Sequence, residues 1–138
     1  MQDPWGYYCV RLDRQSHIEL KKMGAFPRKH AHHVELDFYV RRSKYERYIG
    51  KPVRLSGRMY YKGGHIDALT IRIDTQDVVE LLKRDIAYVT LSRDSMAKPR
   101  DAWKMILDAG EGEPKGPLPL SGHVAFVPFQ PQPERRNQ

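Results

Sequence analysis

Two short stretches of the chain, residues 31–38 and 86–92, carry side chains whose types and spacing could perform acid–base chemistry on a bound molecule. Apolar and polar residues alternate in both, which predicts strands with one face on the core. The polar face of the first stretch holds His33, Glu35 and Asp37. The polar face of the second holds Tyr88, Thr90 and Ser92. Phe38 falls on the opposite, apolar face with Val34 and Leu36. Two such strands side by side would form the polar floor of a groove.

The rest of the chain predicts the elements that position these strands, in the order β-α-β-(turn)-β-β-α-β-α-β. A capping box from Ser16 to Glu19 begins a helix that ends before Gly24. A hairpin is predicted at residues 62–65, and a helix runs from residue 74 or 75 to about 83. Each half contains a strand–helix–strand unit, so we expect an α+β fold of two lobes. Residues 1–129 form one domain, and residues 130–138 a disordered tail.

Composition restricts the class of protein and favours a polyanionic partner. The 138 residues fit one domain, and the net charge of +7 favours a nucleotide or RNA. Several cations, Arg54 among them, cluster between residues 41 and 58. The lone Cys9 is expected to be a small buried hydrophobe, and it rules out an internal disulfide. Without an apolar run of membrane length or a signal peptide, we expect a cytoplasmic monomer that does not bind membranes.

The remaining histidines do not predict a metal centre. His30, His32 and His33 lack the spacing of a standard ligand pair, and no second ligand cluster appears, so we expect neither a metal nor a cofactor. Alternation would place His32 on the side of the strand opposite His33. His65 and His123, near predicted turns or on another strand, are interpreted as structural.

At these residues the chain resembles the two-histidine (2H) phosphoesterase superfamily, in the branch of cyclic phosphodiesterases and RNA-repair ligases. The stretch 6–12 followed by residues 16–24 is similar to the family's opening strand and helix, and residues 48–73 are similar to the strands between its motifs. His33-Val-Glu-Leu-Asp-Phe38 resembles the first His-x-Thr strand. Tyr88-Val-Thr-Leu-Ser92 with Lys98-Pro99 resembles the second and the Lys-Pro that follows it. The resemblance implies two antiparallel sheets flanking a central groove, with helices outside.

In that family two histidines act as general base and acid across a cyclic phosphodiester, and a hydroxyl two residues after each holds a phosphate oxygen. This chain has Glu35 at the first hydroxyl position and Tyr88 at the second histidine position. His33 as base with Tyr88 as acid is one arrangement, and Glu35 as acid or base is another. Thr90 is at the position of the hydroxyl in the second motif. The substrate contacts are predicted at Ser92, Arg93 and Arg54. The sequence leaves open whether Glu35 is paired with Arg41, Arg54, Arg93 or another base.

Three functions follow from these residues. The first is a cyclic phosphodiesterase-like hydrolase that acts on a nucleotide or RNA phosphodiester. The second is a nucleotide- or RNA-binding module that keeps the groove without turnover. The third is a protein-interaction role that uses the basic segment as a docking face.

Overall fold

The computed structural model describes residues 3–130, which form seven strands, three α-helices and a 3₁₀ helix. The strands are β1 (Trp5–Leu12), β2 (Arg28–Lys29), β3 (His33–Arg41), β4 (Pro52–Lys62), β5 (Ile66–Ile73), β6 (Ala87–Arg93) and β7 (Glu113–Pro128). The helices are α1 (Arg14–Met23), α2 (Gln76–Val79) and α3 (Asp101–Ala109), and the 3₁₀ helix spans Arg42–Tyr48. The predicted element order is confirmed, with β2 added. Of the predicted tail, residues 131–138 lie outside the described residues.

All seven strands join one antiparallel sheet, in the order β2-β6-β5-β4-β7-β1-β3. The α+β class is confirmed, whereas the two separate sheets that the family resemblance implied are one continuous sheet. The reason is the long strand β7, whose residues 113–123 pair with β4 and whose residues 122–128 pair with β1. The sheet curls into a half-barrel, and β3 in one half approaches β6 in the other.

The helices differ from the predicted ones where tertiary contacts compete with local signals. Helix α1 begins directly after Asp13, and Ser16 lies inside it, where its Oγ accepts a hydrogen bond from the backbone N–H of Ser121 at 2.9 Å. The capping box was therefore wrong, because that hydroxyl binds β7. Helix α2 is a single turn, since the chain turns back and Lys83 N–H donates to the carbonyl of Leu36 at 3.0 Å.

The core combines apolar residues of the strands with side chains from α1 and from the segment of α2. Its largest fully buried members are Tyr8, Val10, Leu20, Val34, Leu36, Val53, Leu55, Leu69, Val78, Leu81, Val89 and Leu91. A smaller cluster packs under α3 and consists of Ile66, Ala68, Ala97, Ala102 and Ile106. Within residues 3–130, no helix has the length and apolar character needed to cross a bilayer.

Candidate functional site

A cavity of about 480 Å³ opens between β3 and β6 and takes its walls from both strands. All four side chains proposed for catalysis line it: His33 and Glu35 from β3, and Tyr88 and Thr90 from β6. The other lining residues are His30, Ala31, His32, Phe38, Arg84, Pro99 and Arg100. The two stretches singled out in the sequence therefore contribute to one pocket.

The segment between β2 and β3 forms one wall of this pocket. The backbone N–H of His30 donates to the carbonyl of Leu91, and that of Ala31 to the carbonyl of Thr90, each at 2.8 Å. The carbonyl of His32 then accepts from the N–H of Leu12 on β1 at 2.9 Å. Ala31, with φ of +67°, makes the turn between these two sets of bonds. The segment thus links the two halves of the curled sheet beside the pocket.

A bulge in β6 removes Ser92 from the predicted pocket face. Thr90 pairs with Ala68, but Asp67, the neighbour of Ala68, pairs with Ser92, so Leu91 is an extra residue. Ser92 consequently faces the side opposite Thr90 and is fully buried. Its Oγ donates to Asp67 Oδ1 at 2.5 Å and accepts from the backbone N–H of Phe26 at 3.0 Å. The predicted substrate contact at Ser92 was wrong, and the residue is structural.

The two arginines predicted to contact substrate do not line the pocket either. Arg54 lies on β4, which is separated from β6 by β5, and its side chain is exposed. Arg93 lies next to the pocket, where its Nε is 3.1 Å from Nε2 of His30 and its guanidinium donates to the carbonyl of Ala97 at 2.9 Å. Arg93 therefore orients a lining histidine, and no residue of the basic segment 41–58 lines the pocket.

Strand β3 contains a comparable bulge, which changes which residues face the pocket. Cys9 pairs with Glu35, but Tyr8, the residue before Cys9 in β1, pairs with Asp37. Leu36 is therefore an extra residue in β3. Asp37 therefore leaves the pocket face, and its carboxylate accepts from Tyr45 Oη at 2.9 Å. Phe38 takes its place and lines the cavity, although alternation predicted the apolar face for it.

The histidines of the pocket are held in the neutral form. Burial in the cavity wall is the main cause that lowers the pKa of His33, and the nearby His32, Arg11 and His30 lower it further. The pKa values of His30 and His32 are lowered by burial first and by neighbouring cations second. At pH 7 the ring of His33 therefore has a free nitrogen lone pair that can accept a proton.

Glu35 forms an ion pair inside the pocket with Arg84, whose Nη2 lies 3.3 Å from Oε2. Burial raises the pKa of Glu35, and Arg84 opposes that rise. The partner of the carboxylate is thus a residue that the sequence did not single out, and Arg41, Arg54 and Arg93 are not its partners. Arg84 precedes β6 in a turn, where no periodicity indicated its direction.

Tyr88 stacks on Trp103 of α3 at a ring separation of 5.7 Å, with 20° between the planes. The guanidinium of Arg84 lies over both rings, 5.9 Å from Tyr88 and 5.1 Å from Trp103. Burial raises the pKa of Tyr88, Arg84 lowers it, and Glu35 raises it. The phenol is therefore protonated at neutral pH and can act as a hydrogen-bond or proton donor.

The other histidines are placed partly as expected. His32 precedes the first residue of β3, so strand alternation does not apply to it. It lines the pocket and stacks on His17 at 4.5 Å, and the expectation that it would face away was wrong. His65 binds Asp94 at 2.7 Å, and His123 lies at the β7–β1 pairing, both away from the pocket.

Among residues 3–130, no three His, Cys, Asp or Glu side chains come together in a way that could hold a metal ion. The pocket instead combines neutral imidazoles, one carboxylate, a phenol, a hydroxyl and two guanidinium groups, a set suited to an anionic ligand and to proton transfer. Comparisons with protein-family models, with curated proteins and with solved structures found no match to this chain.

Proposed function

We propose that this protein is a 2H phosphoesterase-like protein that hydrolyses a nucleotide or RNA cyclic phosphodiester in the pocket between β3 and β6. The observation that carries the proposal is that both degenerate motifs, from strands far apart in the sequence, line one cavity. Arg84 and Arg100 supply positive charge there, and polyanions are the partners that the net charge of +7 favours. A cytoplasmic location and a monomeric state stay predictions.

The same proposal includes a fold of two lobes. The two parts of β7 pair with different strands, so the sheet divides at residues 122–123 into a half with β4, β5, β6 and β2 and a half with β1 and β3. One motif belongs to each half, and the two motif strands approach each other across the pocket. This arrangement supports two lobes around a central groove, fused here through one strand.

In the proposed reaction His33 is the general base. A water molecule attacks the phosphorus, its proton passes to the neutral imidazole, and the bond from phosphorus to one ribose oxygen breaks. Tyr88, on the strand that faces His33, donates the proton that this leaving oxygen requires. In-line displacement needs base and acid on opposite sides of the phosphorus, a condition that groups on two facing strands can satisfy better than His33 and Glu35 on one strand.

Thr90 and the guanidinium groups would hold the phosphate while the charge on its oxygens develops. The Thr90 hydroxyl donates a hydrogen bond to a phosphate oxygen, and Arg84 and Arg100 stabilise the negative charge. Glu35 acts by positioning Arg84. The carboxylate repels the phosphate less than a free one would, because the ion pair neutralises it in part.

The test is turnover of 2′,3′-cyclic nucleotides and of RNA ends that carry a cyclic phosphate. We expect activity that falls about 10²- to 10⁴-fold in His33→Ala, the usual contribution of a general base. His65→Ala, which removes a histidine bound to Asp94 outside the pocket, is the matched control and should retain activity. Tyr88→Phe should lose more rate than Glu35→Gln. Turnover that survives His33→Ala would end the proposal for this site.

A second function, ligand binding without turnover, is favoured by two observations. The carboxylate of Glu35 stands where the family has a phosphate-binding hydroxyl, and the raised pKa of Tyr88 makes it a weaker acid than a histidine. Titration calorimetry with the same nucleotides distinguishes the two functions, because a binding module would show salt-dependent affinity and no product.

A further inference from the structure

A row of exposed aromatic rings extends from the pocket along the outer end of β3 and β1. Phe38 lines the pocket and is 52% exposed, Tyr39 is 66% exposed, and Trp5 is 44% exposed. Phe129, half-buried, lies among them. We name Trp5, Phe38, Tyr39 and Phe129 the aromatic shelf. Large apolar side chains that are exposed side by side mark an interaction site more often than single ones do.

The aromatic shelf is continuous with His33, the general base of the proposed reaction. Tyr7 connects the two, since its ring lies 5.6 Å from that of His33 and 5.7 Å from that of Phe38. From there the ring separations are 5.2 Å for Phe38–Phe129, 5.6 Å for Tyr39–Phe129 and 5.3 Å for Trp5–Tyr39. A ligand that extends from the pocket can therefore contact successive rings.

The backbone of β3 is distorted in a way that creates this surface. Gly6 pairs with Val40 and Tyr7 pairs with Phe38, so Tyr39 is an extra residue in the strand. Tyr39 has φ of +64°, a left-handed conformation that is costly for a residue with a bulky side chain. The bulge leaves the side chains of Phe38 and Tyr39 both exposed, whereas regular alternation would bury one of them.

Positive charge accompanies the rings. The guanidinium of Arg41 lies 4.6 Å from the centre of the Trp5 ring, and its Nη1 donates to the carbonyl of Asp3 at 2.9 Å, which fixes its position. Aromatic side chains beside a cationic groove are the arrangement that binds single-stranded nucleic acid, because bases stack on the rings and phosphates contact the cations.

We infer that the aromatic shelf stacks the bases of a single-stranded oligonucleotide whose terminal phosphodiester occupies the pocket. The substrate is then a polynucleotide end and not a free mononucleotide. This inference rests on the proposed function for the identity of the pocket ligand. Stacking is shared by RNA and DNA, and a preference for RNA would come from the 2′-hydroxyl.

The experiment compares the affinity of a mononucleotide with that of oligonucleotides up to about six nucleotides, as RNA and as DNA, by fluorescence anisotropy. The shelf variants are Trp5→Ala and Tyr39→Ala, and Trp5→Phe restores a ring. Leu107→Ala, which truncates a side chain on α3 that is 58% exposed, is the matched control. Arg84→Ala tests whether the ligand occupies the pocket.

We expect the oligonucleotide to bind at least about 10-fold more tightly than the mononucleotide, and each shelf alanine to weaken it about 5- to 150-fold. The same variants should leave mononucleotide affinity within about 2-fold, Trp5→Phe should recover most of the loss, and Leu107→Ala should change neither affinity. Equal losses for RNA and DNA would support stacking as the source. A larger loss for RNA would add a contact to its sugar.

Oligonucleotide affinity that equals mononucleotide affinity, or that is unchanged by both shelf alanines, would overturn the inference. So would sedimentation showing a dimer that Tyr39→Ala separates, since the shelf would then be covered by a second copy of the chain. Failure of the proposed function has a different signature. In that case the mononucleotide does not bind and Arg84→Ala has no effect, while the shelf alanines still weaken the oligonucleotide.

Discussion

Ser92→Ala and Thr90→Val together test whether the bulge in β6 separates a structural residue from a pocket residue. The two positions are two residues apart, and regular alternation would make their side chains equivalent. Ser92 is fully buried and bonds both Asp67 and the backbone of Phe26, whereas Thr90 is half-buried in the cavity wall. The two substitutions should therefore differ in their effect on stability.

The expected loss for Ser92→Ala follows from its two hydrogen bonds. The bond to the buried carboxylate of Asp67 is worth about 1.5–3 kcal/mol, and a Phe26 N–H left without a partner adds about 1 kcal/mol because it is partly accessible to water. The free energy of unfolding should therefore fall by about 2.5–4 kcal/mol. At about 4 °C for each kcal/mol in a chain of this size, the midpoint of thermal unfolding falls by roughly 10–16 °C.

Urea denaturation at neutral pH, followed by circular dichroism, measures both variants on the same scale. Thr90→Val keeps the shape of the side chain and removes a hydroxyl that faces the cavity, so we expect a change within about 0.5 kcal/mol. Equal losses for the two variants, or a loss below about 0.5 kcal/mol for Ser92→Ala, would refute the assignment of these residues to opposite faces.

Three further predictions concern the same structure. Gly24→Ala should destabilise the fold by about 1–3 kcal/mol in urea denaturation, because the added Cβ would lie 2.8 Å from the side chain of Ser92; an unchanged midpoint would contradict that contact. Burial raises the pKa of the Cys9 thiol to about 12, so a disulfide reagent at pH 8 should label the protein only after denaturant is added, and rapid labelling of the native chain would oppose this. The pKa of His33 is below 6.5 in the folded state and near 6.5 in the unfolded state, so protons bind preferentially to the unfolded chain. The free energy of unfolding should therefore fall as the pH drops through 6.5. An NMR titration of His33 with a midpoint above 6.5 would reverse that sign.

The sequence predicted the strands of the site because their alternation is a local property. His33 and Glu35 share a face, as do Tyr88 and Thr90, and each pair lines the cavity. The faces of Asp37, Phe38 and Ser92 were assigned wrongly, because a bulge depends on which residue the neighbouring strand presents.

Contacts made by irregular segments were also beyond sequence reasoning. Arg84 lies in a turn whose direction is set by the packing of β6 and α3, so nothing in its surroundings in the sequence indicated that it would pair with Glu35. The hydroxyl of Ser16, the serine of the expected capping box, accepts a hydrogen bond from β7, about a hundred residues away in the chain. Such long-range partners override local signals.

The position of β7 in the sheet has a consequence for how the chain folds during synthesis. The strands made earlier can form two separate groups, β1 with β3 and β2 with β4 to β6, but the two groups share no direct strand pairing until residues 113–128 have left the ribosome. Until then the outer edges of β1 and β4 have unpaired backbone groups, and such edges favour aggregation. Conditions that slow translation before residue 113 should therefore lower the yield of folded protein more than conditions that slow it afterwards.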